Sequence, residues 1–361
     1  MTIQLPPELI EEVLGHLAED PGTLRTCSLV CRAWVPRTRS YLFETWKLTP
    51  RNMSGYCKLL HSPCVTFLAH VHGIHAPKRC WKEKDSRLVA DLRRLTGVRT
   101  LTMSGIVHDS NANGPFRTFL SAFPLVTRLV LVSCNFGQQT VPLFDMICVF
   151  PALQELRIRD MSGALADPPA IAVPPHRLRS LDLGLKQTGP ILEWLHAFNR
   201  LSNVDSLVLP LLKQKHVSTV RTALRRLGGA LHHLTITLTW FPGSTSVDVD
   251  ASTVFEFSLH PNLKTLTICD CPWTGPGFDP NRMFQFIATL ESPSLERLML
   301  DLLNLSLYRE SDWASFDAFL TSSRFPHLRK VVFTRLRWDG DYQFLRGALP
   351  LLENLGMLAI I

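Results

Sequence analysis

The most constraining feature of the sequence is an apolar pattern that occurs ten times between residues 98 and 357. Each occurrence has apolar residues at the first, fourth and sixth positions of a short stretch, as in Val98, Leu101 and Met103. A strand and a helix of this size cannot bury their apolar faces alone, whereas stacked neighbours can bury a continuous core. Residues 97–361 are therefore predicted to form a stacked array. The middle residues of the other nine are Leu129, Leu156, Leu181, Leu207, Leu234, Leu266, Leu298, Val331 and Leu355.

Prolines and helix-period stretches divide the array into units. In six of the ten units a proline stands two residues before the first apolar position. Because proline cannot continue a helix, it is predicted to mark the change from each helix to the next strand. Residues 191–201, 217–227 and 283–290 have the apolar spacing of helices between these strands. The six prolines are Pro124, Pro151, Pro261, Pro293, Pro326 and Pro350.

The repeated unit resembles the leucine-rich repeat, L-x-x-L-x-L-x-x-[N/C]. Cys134 and Cys271 fall at the cysteine position of that pattern, while the other units have different residues there. The resemblance implies an irregular α/β solenoid with parallel strands on its concave face and helices on its convex face. The chain stops on an apolar run, residues 357–361, and solenoids usually have a capped end.

Between the apolar positions of each strand lie residues that should face outward. Arg157 and Arg159 on one strand, near Arg128 on the preceding one, are predicted to form a local basic spot. Our hypothesis is that this face binds a target protein through acidic or phosphorylated groups. Ordinary solvated strand polarity is the alternative for each single residue. The candidate target-binding residues are Arg128, Glu155, Arg157, Arg159, Asp182, His233, Arg297, Asp301 and Lys330.

Residues 5–46 form a second, smaller region. Leu9, Val13 and Leu17 belong to an apolar stripe at helical spacing. Asp20 followed by Pro21 predicts a helix start, and this second helix should carry the apolar residues from 24 to 34 before Pro36 ends or restarts it. Three short helices cannot bury so much apolar surface themselves. They therefore predict a docking face for another protein or, alternatively, packing on the domain that follows.

This region resembles an F-box, as shown by Leu5-Pro6, by Glu8-Leu9 and by the run from Val30 to Trp34, V-C-R-A-W. In that family the helices bind the Skp adaptor of the SCF ubiquitin ligase. Pro7 is an additional proline, and Val13 stands where the family often has isoleucine. The resemblance implies these adaptor-binding residues: Leu5, Pro6, Leu9, Val13, Leu14, Leu17, Leu29, Val30, Cys31 and Trp34.

Together the two resemblances imply an F-box protein with leucine-rich repeats, a non-catalytic substrate receptor of an SCF-type cullin–RING ubiquitin ligase. The expected organisation is an F-box at 1–48, a linker and opening segment at 49–96, and the repeats at 97–361. The short F-box and irregular array also resemble the F-box families of mushroom-forming fungi. Expected partners are the Skp adaptor, cullin through it, and an unknown target protein. A Skp-bound scaffold outside any ligase is one alternative.

The other alternative is a polyanion- or nucleic-acid-binding solenoid, because basic residues cluster in two places. Residues 77–99 hold eight bases and three acids, and residues 213–226 hold five bases and no acid. A solvated helix face is the ordinary explanation of such a cluster. No zinc finger, helix-turn-helix or RNP-like aromatic motif accompanies it.

Chemistry at a bound metal or cofactor has little support in the sequence. His70, His72 and His75, flanked by Cys64 and Cys80, are the best metal candidates, but their spacing differs from paired zinc ligands. No catalytic motif is present, so we expect no catalytic residue, no metal and no cofactor. The nine cysteines include no C-x-x-C, and the N-terminus has no signal-peptide pattern. These features favour a reduced intracellular protein, cytoplasmic or nuclear, and no apolar run is long enough for a membrane span.

Overall fold

The structure is a computed structural model. It describes residues 6–49, 51–63, 65–77, 86–105, 113–169, 171–210, 212, 214–238, 254–270, 281–336 and 339–361. The chain divides into two compact units, Met1–Arg177 and Leu178–Ile361. The two units are built from the same parallel strand pattern.

The first unit contains a parallel sheet with strands in the order β1-β2-β3-β4-β6 and a separate pair, β5 and β7. Its strands are β1 (Thr45–Lys47), β2 (Gly73–Pro77), β3 (Thr100–Ser104), β4 (Arg128–Val132), β5 (Asn135–Val141), β6 (Glu155–Arg159) and β7 (Ser162–Leu165). Its helices are α1 (Pro7–His16), α2 (Pro21–Cys27), α3 (Val35–Phe43), α4 (Met53–Leu60), α5 (Ser86–Leu92), α6 (Asn113–Leu120) and α7 (Leu143–Cys148).

The second unit continues the same strand–helix alternation, with parallel strands in chain order from β8 to β14. Its strands are β8 (Ser180–Asp182), β9 (Ser206–Leu209), β10 (His233–Leu238), β11 (Thr265–Asp270), β12 (Arg297–Asp301), β13 (Lys330–Thr334) and β14 (Leu358–Ile360). Its helices are α8 (Thr188–Ala197), α9 (Gln214–Leu227), α10 (Asn281–Ala288), α11 (Trp313–Leu320), α12 (Asp339–Ala348) and α13 (Pro350–Asn354).

The apolar pattern forms the core of the repeats. In the first nine repeats all three apolar residues are buried, from Val98, Leu101 and Met103 in the first repeat to Val331 and Phe333 in the ninth. Equivalent residues lie in register on neighbouring strands. Burying each such side chain contributes roughly 1.5–3 kcal/mol. The predicted leucine-rich-repeat arrangement of parallel strands is therefore confirmed.

At the start of a strand, two consecutive N–H groups donate to one backbone carbonyl next to the preceding strand. The Arg99 carbonyl oxygen accepts hydrogen bonds from the N–H groups of Thr127 and Arg128, at 2.8 and 3.0 Å. The carbonyl of Glu44 accepts in the same way from His72 and Gly73, at 2.9 and 2.8 Å. The repeat geometry is thus already present at Glu44.

The array accordingly begins earlier than predicted. Trp46 on β1 lies in register with Ile74 on β2, and Ile74 with Leu101 on β3. Trp46 and Ile74 therefore occupy the inward position that leucine fills later in the chain, and both are buried. Because these two short strands have tryptophan and isoleucine at this position, a pattern based on leucine does not identify them.

The sequence pattern predicts the strand of the tenth repeat at the wrong residues. Pro350 begins helix α13 instead of ending a helix, and Leu352 is buried within it. The last strand starts at Leu358, whose register partner is Val331, and Leu355 is largely exposed. Proline fits both the first turn of a helix and the segment after one, so its position alone does not distinguish them.

Candidate protein-binding surfaces

The N-terminal helices pack on one another, and aromatic residues next to them stack on the segment that follows. Helix α3 contacts both α1 and α2, and Leu14 and Leu24 are fully buried. The Trp46 ring stacks on Tyr56, with centroids 4.3 Å apart, and Phe43 stacks on Phe67 at the same distance. Leu14 of the apolar stripe is therefore buried within this unit, and Phe43 packs on the segment that follows the helices.

The start of the second helix is as predicted, but its end is not. The Asp20 carboxylate accepts hydrogen bonds from the N–H groups of Gly22 and Thr23, at 3.0 and 3.1 Å. Hydrogen bonds to its carboxylate lower the pKa of Asp20, and the hydrogen bond from the Thr23 hydroxyl lowers it most. Helix α2 ends at Cys27, and α3 begins at Val35 just before Pro36. Proline in the first turn starts the new helix, and the residues between lie in turns.

Four large apolar side chains remain exposed on this helical region. Leu9 and Val13 on α1 are 48% and 49% exposed, and their spacing of four places them on one helix face. Leu29 and Val30, in the turns between α2 and α3, are 85% and 63% exposed. A turn that presents two adjacent aliphatic side chains to solvent is the expected chemistry of a docking surface. We call Leu9, Val13, Leu29 and Val30 the apolar docking set.

The other proposed adaptor-binding residues are distributed differently. Pro6 and Cys31 are exposed, while Leu17 and Trp34 are half-buried. Leu14 is fully buried and so supports the helices from within, which excludes it from a contact surface. Leu5 lies outside the described residues.

On the first-unit strand face, charged residues are paired with one another. Arg128 on β4 and Glu155 on β6 are register partners, with Arg128 Nε and Glu155 Oε2 3.1 Å apart. Arg157 Nη2 lies 3.3 Å from the other oxygen, Glu155 Oε1. The predicted basic spot is therefore partly neutralised, because Glu155 stands between the two arginines. Arg159, at the end of β6, is exposed.

On the second-unit strand face, the outward residues at the start of the strands include His233, Arg297 and Lys330, all exposed. Arg297 and Lys330 are register partners on β12 and β13. Partial burial of its ring lowers the pKa of His233; Asp205 opposes this shift, and His232, Lys264 and Arg297 lower the pKa further. Both cations and one acid, Asp205, therefore act on His233.

Two acidic candidates on this unit are not accessible. Asp182 on β8 is 8% exposed and Asp301 on β12 is 9% exposed. Asp301 Oδ1 lies 3.1 Å from Nε of Arg335, so its charge is already compensated. Asp301 also contributes to a raised pKa of about 11 for Cys269, which is caused first by burial. These two aspartates are structural residues, whereas the cations remain exposed.

In each basic cluster at least one arginine has a partner in the described part of the chain. Arg94 donates to the Leu60 carbonyl, and Asp91 lies 3.0 Å from His61. On α9, Arg225 lies 2.9 Å from Glu256. Residues 78–85 and Lys213 are outside the described part of the chain. Nothing in this geometry favours the polyanion alternative.

The histidine cluster does not assemble into a site in the described part of the chain. His72 Nδ1 lies 3.3 Å from the Gly97 carbonyl oxygen, and His75 Nε2 lies 2.8 Å from the Ser104 hydroxyl. Among the residues that the structure describes, no three histidine, cysteine, aspartate or glutamate side chains converge as metal ligands would. Cys64 and Cys80 lie outside that part. Across the same described residues, no helix combines the length and apolarity needed to cross a bilayer.

Sequence reasoning missed the residues just before the outward ones. Lys264 and Arg329 are exposed and precede Thr265 and Lys330. The signal was available, since the first two variable positions of L-x-x-L can both be solvent-facing.

No protein-family model matches the chain, and no curated protein matches it. Among solved structures it is similar to the leucine-rich repeat-containing protein LegL7 from Legionella pneumophila, at 15% identity over 86% of this chain and 94% of that one, with a TM-score of 0.46. A Bacteroides fragilis protein matches at 15% identity over 88% and 73% of the two chains, with a TM-score of 0.38. The TLR13–ssRNA13 complex matches at 14% identity over 73% and 45%, with a TM-score of 0.29. The strand ladder and its buried leucines, not these distant likenesses, define the leucine-rich-repeat architecture.

Proposed function

We propose that the protein is the substrate-recognition subunit of an SCF-type ubiquitin ligase, with its N-terminal helices binding the Skp adaptor and its repeats binding a target protein. The observation that carries the proposal is the exposed apolar docking set, which lies within the segment whose sequence resembles an F-box. Leu29 and Val30 are 85% and 63% exposed. Covering such side chains contributes roughly 1.5–3 kcal/mol each when burial is complete.

The mechanism needs no bond chemistry in this chain. A target held by the strand face and an adaptor held by the helices are kept together, which raises the effective concentration of target lysines near a ubiquitin-loaded enzyme. The exposed polar residues on the strands support the target half of this proposal, since they are accessible and held on rigid elements. Reaction chemistry would then belong to other subunits.

The test is co-purification of the full chain with the Skp adaptor and cullin. The informative variant is Leu29→Glu with Val30→Glu, because both side chains are exposed and their replacement should leave the fold intact. Capture of the adaptor is expected to weaken by at least about tenfold, which corresponds to roughly 1.4 kcal/mol. The matched control is Ile171→Glu with Val173→Glu, two exposed apolar residues (91% and 51%) outside the helices.

Each outcome separates a different reading. Capture of adaptor and cullin by the wild type and the control, but not by the Leu29/Val30 variant, supports the proposal. Adaptor without cullin favours the scaffold outside a ligase. A folded wild type that captures neither protein contradicts the adaptor-binding assignment.

A further inference from the structure

The strand face of the second unit contains exposed cations that form no ion pair with the described residues. Arg297, Arg329 and Lys330 are exposed. Within the described part of the chain none of the three has a hydrogen-bond or ion-pair partner for its side chain. We call them the cationic row. His233 on β10 and Lys264 before β11 flank it.

Elsewhere the same surface neutralises its cations across neighbouring repeats. Arg179 Nη2 lies 2.7 Å from Asp205 Oδ2. Even Lys264 has Glu296 at 3.8 Å. The cationic row is a departure from this arrangement.

The departure costs stability, because Arg297 and Lys330 are direct register partners on adjacent strands. Like charges placed opposite one another across a parallel or antiparallel pair repel. The fold can place an acid at this position, since Arg128 and Glu155 occupy the equivalent pair in the first unit and form an ion pair. An uncompensated pair of cations is therefore best explained by a ligand that supplies the negative charge.

We propose that the cationic row binds an extended, carboxylate-rich segment of a partner protein, laid across strands β10 to β13. This deepens the target-binding half of the proposed function by naming the chemistry of the target. Neighbouring strands are about 4.8 Å apart, so the row with its flanks spans about 14 Å, the length of roughly four residues of extended chain. Single cations spaced along that line match carboxylates taken one at a time.

The surroundings favour a peptide over a nucleic acid. The next outward positions carry Met299, which is half-buried, and Val332, which is buried, next to threonines on β10 and β11. No outward position of β10 to β13, all of them described, carries phenylalanine, tyrosine or tryptophan. Single-stranded nucleic acid is usually held by stacking on such rings. A surface of cations beside the half-buried Met299 fits acidic and apolar side chains in alternation.

The backbone also favours carboxylates over phosphate. Phosphate sites usually add backbone N–H donors from a helix start or a nest of amides. Here the N–H of Arg297 donates to the Lys264 carbonyl at 3.0 Å, and the N–H of Lys330 donates to the Glu296 carbonyl at 3.2 Å. Only side chains of the row are left to bind the ligand.

The test is fluorescence anisotropy with the full chain and a fluorescein-labelled peptide of ten glutamates. Lys330→Glu is expected to weaken binding by at least about tenfold, because an attraction is replaced by a repulsion. Arg297→Gln should weaken it about fivefold, the effect of one exposed charge pair. The matched control is Lys186→Glu, which changes the net charge equally at an exposed residue away from the strands and should change affinity less than about twofold.

The outcomes are distinguishable. No binding of the glutamate peptide, or equal weakening by Lys186→Glu and Lys330→Glu, overturns the proposal. Preference for poly(U) over the peptide at equal charge assigns the row to nucleic acid and also overturns it, as does a row-dependent preference for a phosphoserine peptide. Adaptor capture by Lys330→Glu should equal that of the wild type, so loss of peptide binding and loss of adaptor binding report on the two proposals separately.

Discussion

The strand faces of the two units solve the same electrostatic problem differently. On the first, Glu155 accepts contacts from Arg128 and Arg157, at 3.1 and 3.3 Å, so that three charged side chains form one network. On the second, Arg297 faces Lys330 at the equivalent register pair, and neither has an acidic partner among the described residues. The register pair on the first face is internally compensated, and the equivalent pair on the second is not.

The difference teaches where to look for a ligand on a repeat surface. Exposure alone does not separate the two faces, since each has exposed arginines. Pairing does, because a compensated arginine must lose its partner before it can bind a ligand, whereas an uncompensated one gains a partner. A charged ligand is therefore expected on the second face, with the first serving as an internal reference.

The largest effect should come from loosening the strand beside Lys330. Asp317, on α11, is buried, and its carboxylate accepts hydrogen bonds from the N–H groups of Leu351 and Leu352, at 2.7 and 3.0 Å. Those N–H groups start helix α13 and would otherwise lack partners. Asp317→Ala should lower the free energy of unfolding by about 3 kcal/mol, as expected for losing two bonds to a buried charge. Urea denaturation measures the change.

A matched control exists on the same helix. Asp312 caps the start of α11 by accepting from the Ser315 N–H at 3.0 Å, but it is exposed. Asp312→Ala should destabilise the protein less than Asp317→Ala does. Equal losses would show that burial of the Asp317 carboxylate does not matter. If the contrast holds, Asp317→Ala should also weaken peptide binding, because β14 pairs with β13.

The second-largest change in stability should come from removing the acid on the compensated first face. Glu155→Gln removes the shared acid, and Arg128 and Arg157 are left without it. Two partly exposed pairs are lost, so the free energy of unfolding should fall by about 1 kcal/mol, while affinity for the glutamate peptide should rise. Glu291→Gln is the control, since Glu291 is more exposed and has a single contact, 3.4 Å from Arg324. A gain of peptide affinity in the control but not in Glu155→Gln would contradict the comparison.

A smaller change in stability is expected when the second face is given the opposite-charge pair of the first. Lys330→Glu places an acid opposite Arg297 and recreates the Arg128–Glu155 pair. The free energy of unfolding should rise by about 0.2–1 kcal/mol, the range for opposite charges across strands, even though peptide binding is lost. Thermal or urea denaturation beside Lys186→Glu checks the sign. A decrease in stability would mean that Lys330 has a structural role.

Much of the fold could be predicted from the sequence because its signal is repeated. Val98, Leu101 and Met103 obey a spacing that the next eight units repeat, so single exceptions do not hide it. The two ends of the array were harder. At the start Trp46 replaces the leucine, and at the end Pro350 opens a helix where a strand was expected.

The surfaces were less predictable, because spacing along the chain identifies outward positions but not the partners they meet. Asp301 and Lys330 look equivalent in the sequence as charged strand residues. In the fold Asp301 is buried against Arg335, while Lys330 is exposed. Similarly, Leu14 and Val13 are neighbours in one apolar stripe, yet only Val13 reaches solvent. Which residues meet depends on the register and the turn geometry, which no local pattern encodes.

The smallest effect is electrostatic and tests whether the field of the cationic row extends along the face. Burial lowers the pKa of His233, and Arg297 and Lys264 are among the charges that lower it further. Arg297→Gln should therefore raise the pKa of His233 towards its usual value, which a proton NMR titration of the imidazole can follow. Arg226→Gln, on the helix α9, should leave it unchanged.

The lowered pKa of His233 also makes the stability of the protein depend on pH. A histidine with a lower pKa in the folded state binds fewer protons there than in the unfolded chain, so its contribution makes the protein less stable as pH falls through that window. Arg297→Gln should reduce this loss, because it removes one of the charges that disfavour the imidazolium. Added glutamate peptide should raise the same pKa in the wild type, since negative charge beside the row favours the protonated ring. An imidazole that titrates identically with and without Arg297, and with and without peptide, would place His233 beyond the reach of the row and shorten the binding face to β12 and β13.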